Sequence, residues 1–409
     1  MHNGDAIVAA CDQLAAISAD ADQLTRCYLT PEHARANAQL AQWMTDAGMQ
    51  TWQDAAGNQW GRFEGRDPAL PALILGSHSD SVINAGRFDG PLGVLLAIGV
   101  VARLNAAAQR PARTVEVVAF ADEEGTRFGT ALLGSRAVAG SWDPAWWDIT
   151  GRDGVTLRQA FIDFGLDPER IGEAARTPES VAGYLEAHIE QGPVLEAERR
   201  SLGVVTAIAG ARRFAITISG EAGHAGTTPL ALRRDALSGA AEAIVAIETL
   251  ARAAGIVATV GSLQTLPGAV NVIPGEVRMT LDIRAERDED RDRTLNAIRE
   301  TCDRIGDTRG LAWHWQETHS APAVACAPRL VEALTQAIDT TIGTDSGSVM
   351  RLASGAGHDG MAMADICEIG MLFVRCDRGI SHHPDESVQA RDVDDALNAM
   401  SQAVSALVV

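Results

Sequence analysis

Apolar runs too short for helices alternate along the chain with longer amphipathic stretches. Ala72-Leu73-Ile74-Leu75 is a continuous apolar run that predicts a buried strand. It stops at Gly76, a polar stretch follows, and Gly90-Pro91 then opens a helix, proline being favoured at a first helical position. That helix carries Leu92, Leu95, Leu96 and Val100 at helical spacing. Residues 114–121 predict a second strong strand, and 184–192 a third. Two short strands are expected near 49–54 and 59–64. Helices are expected over 5–19, over 31–47 behind the N-cap Thr30, over 328–342, and from about Asp392. Residues 136–182 read as loops and short helices.

Between about Gly210 and Ala325 the pattern changes. Residues 211–220 alternate, with Phe214, Ile216 and Ile218 on one face, and 276–285 alternate with Val277, Met279, Leu281 and Ile283 inward. With helices over about 230–253 and 287–305, and strands at 256–265 and 311–318, the order is β-α-β-β-α-β. That is the order of a ferredoxin-like unit. The expected organisation is one α/β domain made of 1–210 and 326–409, interrupted by a second domain over 211–325.

Composition narrows the partners. The net charge of −20 argues against nucleic acid and anionic membrane surfaces. Six cysteines form no CxxC pair and no dense framework, so a reducing compartment is expected. The N-terminus lacks the basic region of a signal peptide, and no apolar stretch is long enough to cross a bilayer. These readings point to the cytoplasm.

The chemistry gathers just beyond the expected strands. His78, Asp80 and Asp89 follow the first, Glu123 and Glu124 the second, and His188 lies at the third. Ser381-His382-His383-Pro384 adds imidazoles near the C-terminus. Loops beyond the carboxyl ends of strands are where open α/β sheets bind ligands. Imidazoles and carboxylates without thiolates suit Zn²⁺, or Mn²⁺, Co²⁺ or Ni²⁺, at a hydrolytic site. Two metals about 3.5–4 Å apart need a bridging carboxylate, which Asp89 could supply. Asp80 could orient the His78 ring. Taken singly, each has a blander reading: His-x-Asp is usually incidental, adjacent glutamates often form a solvated loop, and Arg284 would pair at the surface with Asp282 or Glu286.

The sequence resembles the amidase/hydantoinase/carbamoylase family of the dinuclear-zinc exopeptidase and aminoacylase superfamily. The resemblance rests on DAAGN (54–58), GSHSDSV (76–82), GRFDGPLGV (86–94), ADEEGTRFG (121–129), HIEQGPVLE (188–196), GHAGTTP (223–229), NVIPG (271–275), DIR (282–284), SGAGHD (354–359) and GISHHPDE (379–386). It implies a mixed-sheet hydrolase domain with an inserted ferredoxin-like lid and dimerisation domain, hence a homodimer. It implies two divalent metal ions, zinc before manganese, cobalt or nickel. His78, Asp89 and His188 would hold one, and Asp89 would bridge to a second on Glu124 and His382. Glu123 would be the general base and His224 would help stabilise the oxyanion. Gln191, Asn271, Arg284, Gly357 and His358 would bind substrate, with His224, Asn271 and Arg284 reaching a site from the partner subunit in relatives.

The implied activity is hydrolysis of the linear C–N amide of an N-carbamoyl carboxylate. Allantoate and N-carbamoyl-L-amino acids stand first, ureidoglycolate and β-ureidopropionate next. A dipeptidase or aminoacylase of the same superfamily is the main alternative. A non-catalytic binding protein is disfavoured, because every expected ligand position is occupied.

Overall fold

The computed structural model describes residues 1–108, 110–343 and 348–408. In chain order its strands are β1 (Gln50–Gln53), β2 (Gln59–Phe63), β3 (Ala72–His78), β4 (Val115–Phe120), β5 (Val181–Ile189), β6 (Leu202–Ile208), β7 (Gly210–Ser219), β8 (Gly223–His224), β9 (Val257–Thr259), β10 (Leu263–Leu266), β11 (Val272–Ile273), β12 (Glu276–Ala285), β13 (Ala312–Ala321), β14 (Val324–Ala325), β15 (Arg351–Ser354) and β16 (Ile369–Val374). The chain divides into two compact units. The first comprises Met1–Thr206, Cys326–Leu352 and Ala356–Val409, and the second Ala207–Ala325 with Ala353–Gly355.

The sheet of the first unit is mixed and runs β1-β2-β4-β3-β5-β16-β6. Its centre is parallel: β4 pairs β3, β3 pairs β5, and β5 pairs β16, all in the same direction. β2 and β6 flank it antiparallel. β3, β4 and β16 are buried along their whole length, which explains their unbroken apolar runs. Helix Pro91–Ala106 is buried on nearly every side, and Gly90 before it adopts φ +84°. A Cβ at Gly90 would overlap the His78 ring, so the turn needs glycine for close approach as well as for its backbone.

The second unit has the sheet order β10-β12-β7-β13, with β9 also on β12. Its core joins Phe214, Ile216 and Ile218 to Val277, Met279, Leu281 and Ile283 under helices Ala236–Ala254 and Asp288–Arg309. This is the ferredoxin-like strand order. A separate ribbon pairs β8 with β11, setting Val272 opposite His224.

Three expected elements are corrected. The first helix stops at Ala15 rather than 19, because Ser18 turns the chain: its hydroxyl donates to Gln23 O and accepts from Thr25 N. The expected strand 256–265 is broken, because Ser262 pairs with Thr280 through that side chain and its backbone while β9 and β10 pair opposite ends of β12. The helix expected from 230 begins at Ala236, where Asp235 caps the amide of Ser238. Among the described residues no helix is long and apolar enough to cross a membrane.

Candidate metal centre

The parallel strands of the first unit bring their carboxyl ends together. His78 is the last residue of β3, Glu123 and Glu124 follow β4, His188 lies at the end of β5, and His382 lies in the loop after β16. Asp89 sits in the tight turn before helix Pro91–Ala106, whose N-terminus favours a negative group.

Asp89 is the hub. Its Oδ1 lies 3.4 Å from His78 Nε2 and 3.2 Å from His188 Nε2. Its Oδ2 lies 3.3 Å from His382 Nε2, which is also 3.5 Å from Glu124 Oε1. One carboxylate thus faces two separate ligand sets. His78, Asp89 and His188 form one group able to hold a metal ion, and Asp89, Glu124 and His382 another. Glu123 forms a third group with His78 and Glu124. His78, Asp89, His188 and Glu123 are buried, Glu124 is partly buried, and His382 is half-exposed.

The ring tautomers suit cation binding. His188 Nδ1 lies 2.9 Å from its neighbour's carbonyl, Ile189 O, and His78 Nδ1 lies 3.3 Å from Asp80 O. A carbonyl can only accept, so Nδ1 carries a hydrogen on both rings, and in the neutral rings the Nε2 lone pairs turn toward Asp89. Two lone pairs and a carboxylate oxygen repel one another unless a positive charge lies among them. Ligand atoms at about 2.0–2.1 Å from a tetrahedral zinc stand about 3.3–3.4 Å apart, close to the spacings found here. The residues therefore fit divalent cation binding.

Protons compete with a cation for the same positions. Burial raises Glu123 well above the usual carboxylate range, and burial together with Asp89 pushes Glu124 up to about 7. The hydrogen bond to Asp89 carries His382 up to about 9. Burial opposes charge on His78 and His188, yet the acids beside them raise both. Burial likewise opposes ionisation of Asp89, and the three imidazoles hold it well below its usual value. The protonation of the cluster thus depends on positive charge among its carboxylates.

Asp80 does more than face His78. Its two oxygens accept the amides of Glu123 at 3.0 Å and Glu124 at 3.1 Å, so it fixes the backbone of both glutamates. Gln191 contacts the hub itself, its Nε2 donating to Asp89 Oδ2 at 2.7 Å. His358 is buried with its ring edge-on to His188, centroids 4.5 Å apart, and Gly357 precedes it in the same loop. His358, His188 and Glu186 form a further buried group.

The remaining expected residues belong to the second unit. His224 is exposed on the β8–β11 ribbon, where its Nδ1 accepts from Gly226 N, and Asn271 is exposed just before β11. Arg284 is half-buried on β12. Its guanidinium forms a two-pronged pair with Asp282 at 2.8 and 2.9 Å and donates to Gly355 O at 2.6 Å. The simple ion-pair reading of Arg284 is therefore the contact present in this structure.

The sequence profile described as "Peptidase family M20/M25/M40" matches residues 74–406. The chain belongs to this family. The chain is 42% identical over 423 residues to a probable allantoate deiminase of Oryza sativa subsp. japonica, covering 95% of this chain and 85% of that protein. It is 43% identical over 364 residues to an N-carbamoyl-L-amino acid amidohydrolase of Geobacillus stearothermophilus, covering 89% of this chain and 88% of the relative. A solved amidase of the hydantoinase/carbamoylase family from Burkholderia multivorans superposes with a TM-score of 0.90 at 32% identity, over 99% of this chain and 98% of that one. Within the M20 family the chain therefore lies among the hydantoinase/carbamoylase amidases.

One residue at this centre escaped the sequence reading. Glu386 is buried, and its Oε1 accepts the amides of Phe88 at 2.7 Å and Asp89 at 3.1 Å. Its Oε2 lies 3.2 Å from the Ser381 hydroxyl, which also donates to Asp89. Glu386 so ties the Asp89 turn to the His382 loop, and a Cβ at Gly86 would overlap it. Its only sequence signal is its place in GISHHPDE. Glu386→Ala strands two buried amides, a cost of about 1–3 kcal/mol in thermal or denaturant unfolding. Zinc retention in chelator competition should fall roughly 10–100-fold.

Proposed function

We propose that the protein is a metal-dependent amidohydrolase acting on the linear C–N amide of an N-carbamoyl carboxylate, releasing ammonia, and CO₂ where a carbamoyl group is lost. Allantoate and N-carbamoyl-L-amino acids are the first candidates, in keeping with the names of the relatives. One observation carries the reading: Asp89 turns one oxygen toward His78 and His188 and the other toward His382, with Glu123 beside them. In this reading His78, Asp89 and His188 hold one divalent ion, and Asp89, Glu124 and His382 hold the second. Zinc is preferred, with manganese, cobalt or nickel able to serve. When bound, the ions supply Lewis acidity and a water of lowered pKa.

Glu123 is the base that takes the proton of the attacking water and passes it to the departing nitrogen. Asp80 keeps that carboxylate in place through the backbone amide of Glu123. Gln191, Gly357 and His358 line the substrate side. His224 contributes to the oxyanion site, Asn271 hydrogen-bonds the substrate, and Arg284 grips its carboxylate, all three supplied by the second unit acting as lid and dimerisation domain of a cytoplasmic homodimer. The deciding experiment assays ammonia from zinc- or manganese-loaded protein on allantoate, N-carbamoyl-L-amino acids, ureidoglycolate and β-ureidopropionate, with dipeptides and N-acyl amino acids assayed for cleavage alongside. Turnover of dipeptides or N-acyl amino acids alone would move the assignment to a peptidase or aminoacylase. A loaded protein inert on the whole panel would leave a binding protein.

Arg284 tests the carboxylate part of this reading. Its fork already matches a carboxylate, that of Asp282, so substrate binding exchanges one partner for another. Arg284→Ala should raise KM about 10–100-fold, a charge-assisted hydrogen bond being worth roughly 1.5–3 kcal/mol. Arg284→Lys should fall between. If the arginine serves the partner's site, verified mixed dimers of Glu123→Gln and Arg284→Ala should regain activity, because one of their two sites keeps both residues. An unchanged KM in Arg284→Ala would leave the residue an ion pair with Asp282.

A further inference from the structure

The segment Leu24–Leu29 lies before the residues matched by the family profile, yet it runs alongside the loops that carry the centre. Leu24 pairs with Ala85, and Asn84 N donates to the Thr25 hydroxyl. Arg26 is bonded on both sides of Asp80. Its Nε donates to Ser79 O at 2.7 Å, its amide donates to Ser81 Oγ at 2.9 Å, and its carbonyl accepts from Ser81 N at 3.0 Å. Further along, Arg127 donates to Tyr28 O and Leu29 O, and Thr126 donates to Ser81 O. The loop after β4, which carries Glu123 and Glu124, is thereby stitched to the same segment.

Arg26 itself is 1% exposed. Its Nη1 donates to Leu14 O at 2.9 Å and Ile17 O at 3.1 Å, carbonyls at and just past the end of the first helix, whose dipole is negative there. A fully buried guanidinium is costly unless it is paired and hydrogen-bonded. The chain bears that cost beside Asp80, the carboxylate that holds the amides of the two glutamates. The guanidinium satisfies carbonyls of Leu14, Ile17 and Ser79, and the charge of the nearby Asp80 offsets part of the cost of burying it.

We propose that Arg26 is a positioning residue for the reaction, acting through Asp80 to place Glu123 and Glu124, with Leu24–Leu29 as the strap that holds both catalytic loops. This rests on the amidohydrolase reading above, and it adds a part of the chain that this reading left without a role. The hydrogen bonds of Arg26 go to Ser79, Ser81, Leu14 and Ile17 rather than to a proposed metal ligand. Its influence runs through Ser79 and Ser81 to Asp80, and from Asp80 to the two amides.

The test uses the full-length protein with Arg26→Met and Arg26→Lys, each alone and combined with Asp80→Asn. Three quantities are measured on the folded fraction: kcat and KM on the ureido substrate turned over by wild type, and zinc retention in chelator competition. Arg26→Met should lower kcat about 10²-fold with KM nearly unchanged, the cost of a small misplacement of catalytic groups. It should weaken zinc retention roughly 10–100-fold, since Glu124 is one of the placed residues. Arg26→Lys keeps the charge without the fork and should rescue part of both losses, and it serves as the measurement if the methionine variant does not fold. Asp80→Asn should remove most of the effect of either Arg26 substitution, because residues acting as one unit are not additive. Folded variants with wild-type kcat and zinc retention overturn the proposal, and so do full effects that persist beside Asp80→Asn. If wild type turns over no ureido substrate, the functional reading fails by itself, and zinc retention in the same variants still decides the role of Arg26.

Discussion

Glu123→Gln should fold, retain its metal ions and lose turnover. The amide is nearly isosteric with the carboxylate, and it keeps the backbone hydrogen bond from Glu123 N to Asp80. It cannot accept a proton from water. General acid–base assistance contributes typically about 10²–10⁴-fold, and in the proposed mechanism one group serves as both base and acid, so the upper part of that range is expected. The loss should fall on kcat with KM little changed, because the interaction is made chiefly in the transition state. Elemental analysis beside steady-state kinetics checks both halves. A variant that keeps its metals and its turnover would place the base elsewhere in the cluster.

Asp89→Asn should have the second large effect, on metal content. Two imidazoles face one oxygen of this carboxylate and a third faces the other. The amide replaces one oxygen by a donor nitrogen, so one of the two faces must lose its ligand, and the negative charge shared by both is gone. Both equivalents of zinc should become weak together, by roughly 10–100-fold or more in chelator competition, with activity lost in step. His382→Ala removes a ligand from one face only and should spare the ion on His78 and His188. Equal retention in Asp89→Asn and wild type would exclude the bridging role.

Much of this arrangement was legible in the residues. Strict alternation marks β12, and Ala327-Pro328 marks the start of the helix Pro328–Ile342; in both cases local pattern and tertiary burial agree. The clustering of the proposed ligand residues was legible because they follow strands, and a parallel sheet brings such ends together. Elements were misjudged where a side chain competed with the backbone. Ser18 ends the first helix early, and the pairing of Ser262 with Thr280 marks the break in the strand after residue 256. Glu386 and Arg26 were missed for a different reason. Each acts on backbone groups far along the chain, Glu386 on amides 297 and 298 residues away, and no periodicity records such a contact. The pairing of Arg284 with Asp282 lies at the opposite extreme, since residues two apart on a strand share a face.

The strand order has a consequence for how the protein is made. β5 and β6 follow each other in the chain, yet β16 lies between them, parallel to β5 and antiparallel to β6. On the ribosome the first unit is therefore synthesised with a slot in its sheet, which closes only when residues 369–374 have left the exit tunnel. His78, Asp89, Glu124 and His188 are all made before that point, whereas His382 and Glu386 arrive directly after it. Translation thus delivers one of the two proposed ligand sets long before the other, and the insertion of a single late strand brings in both the last imidazole and the clamp that orients Asp89. Nascent chains halted before residue 369 should expose two unpaired strand edges to chaperones, and on the two-ion proposal full-length chains should acquire the second ion only after release.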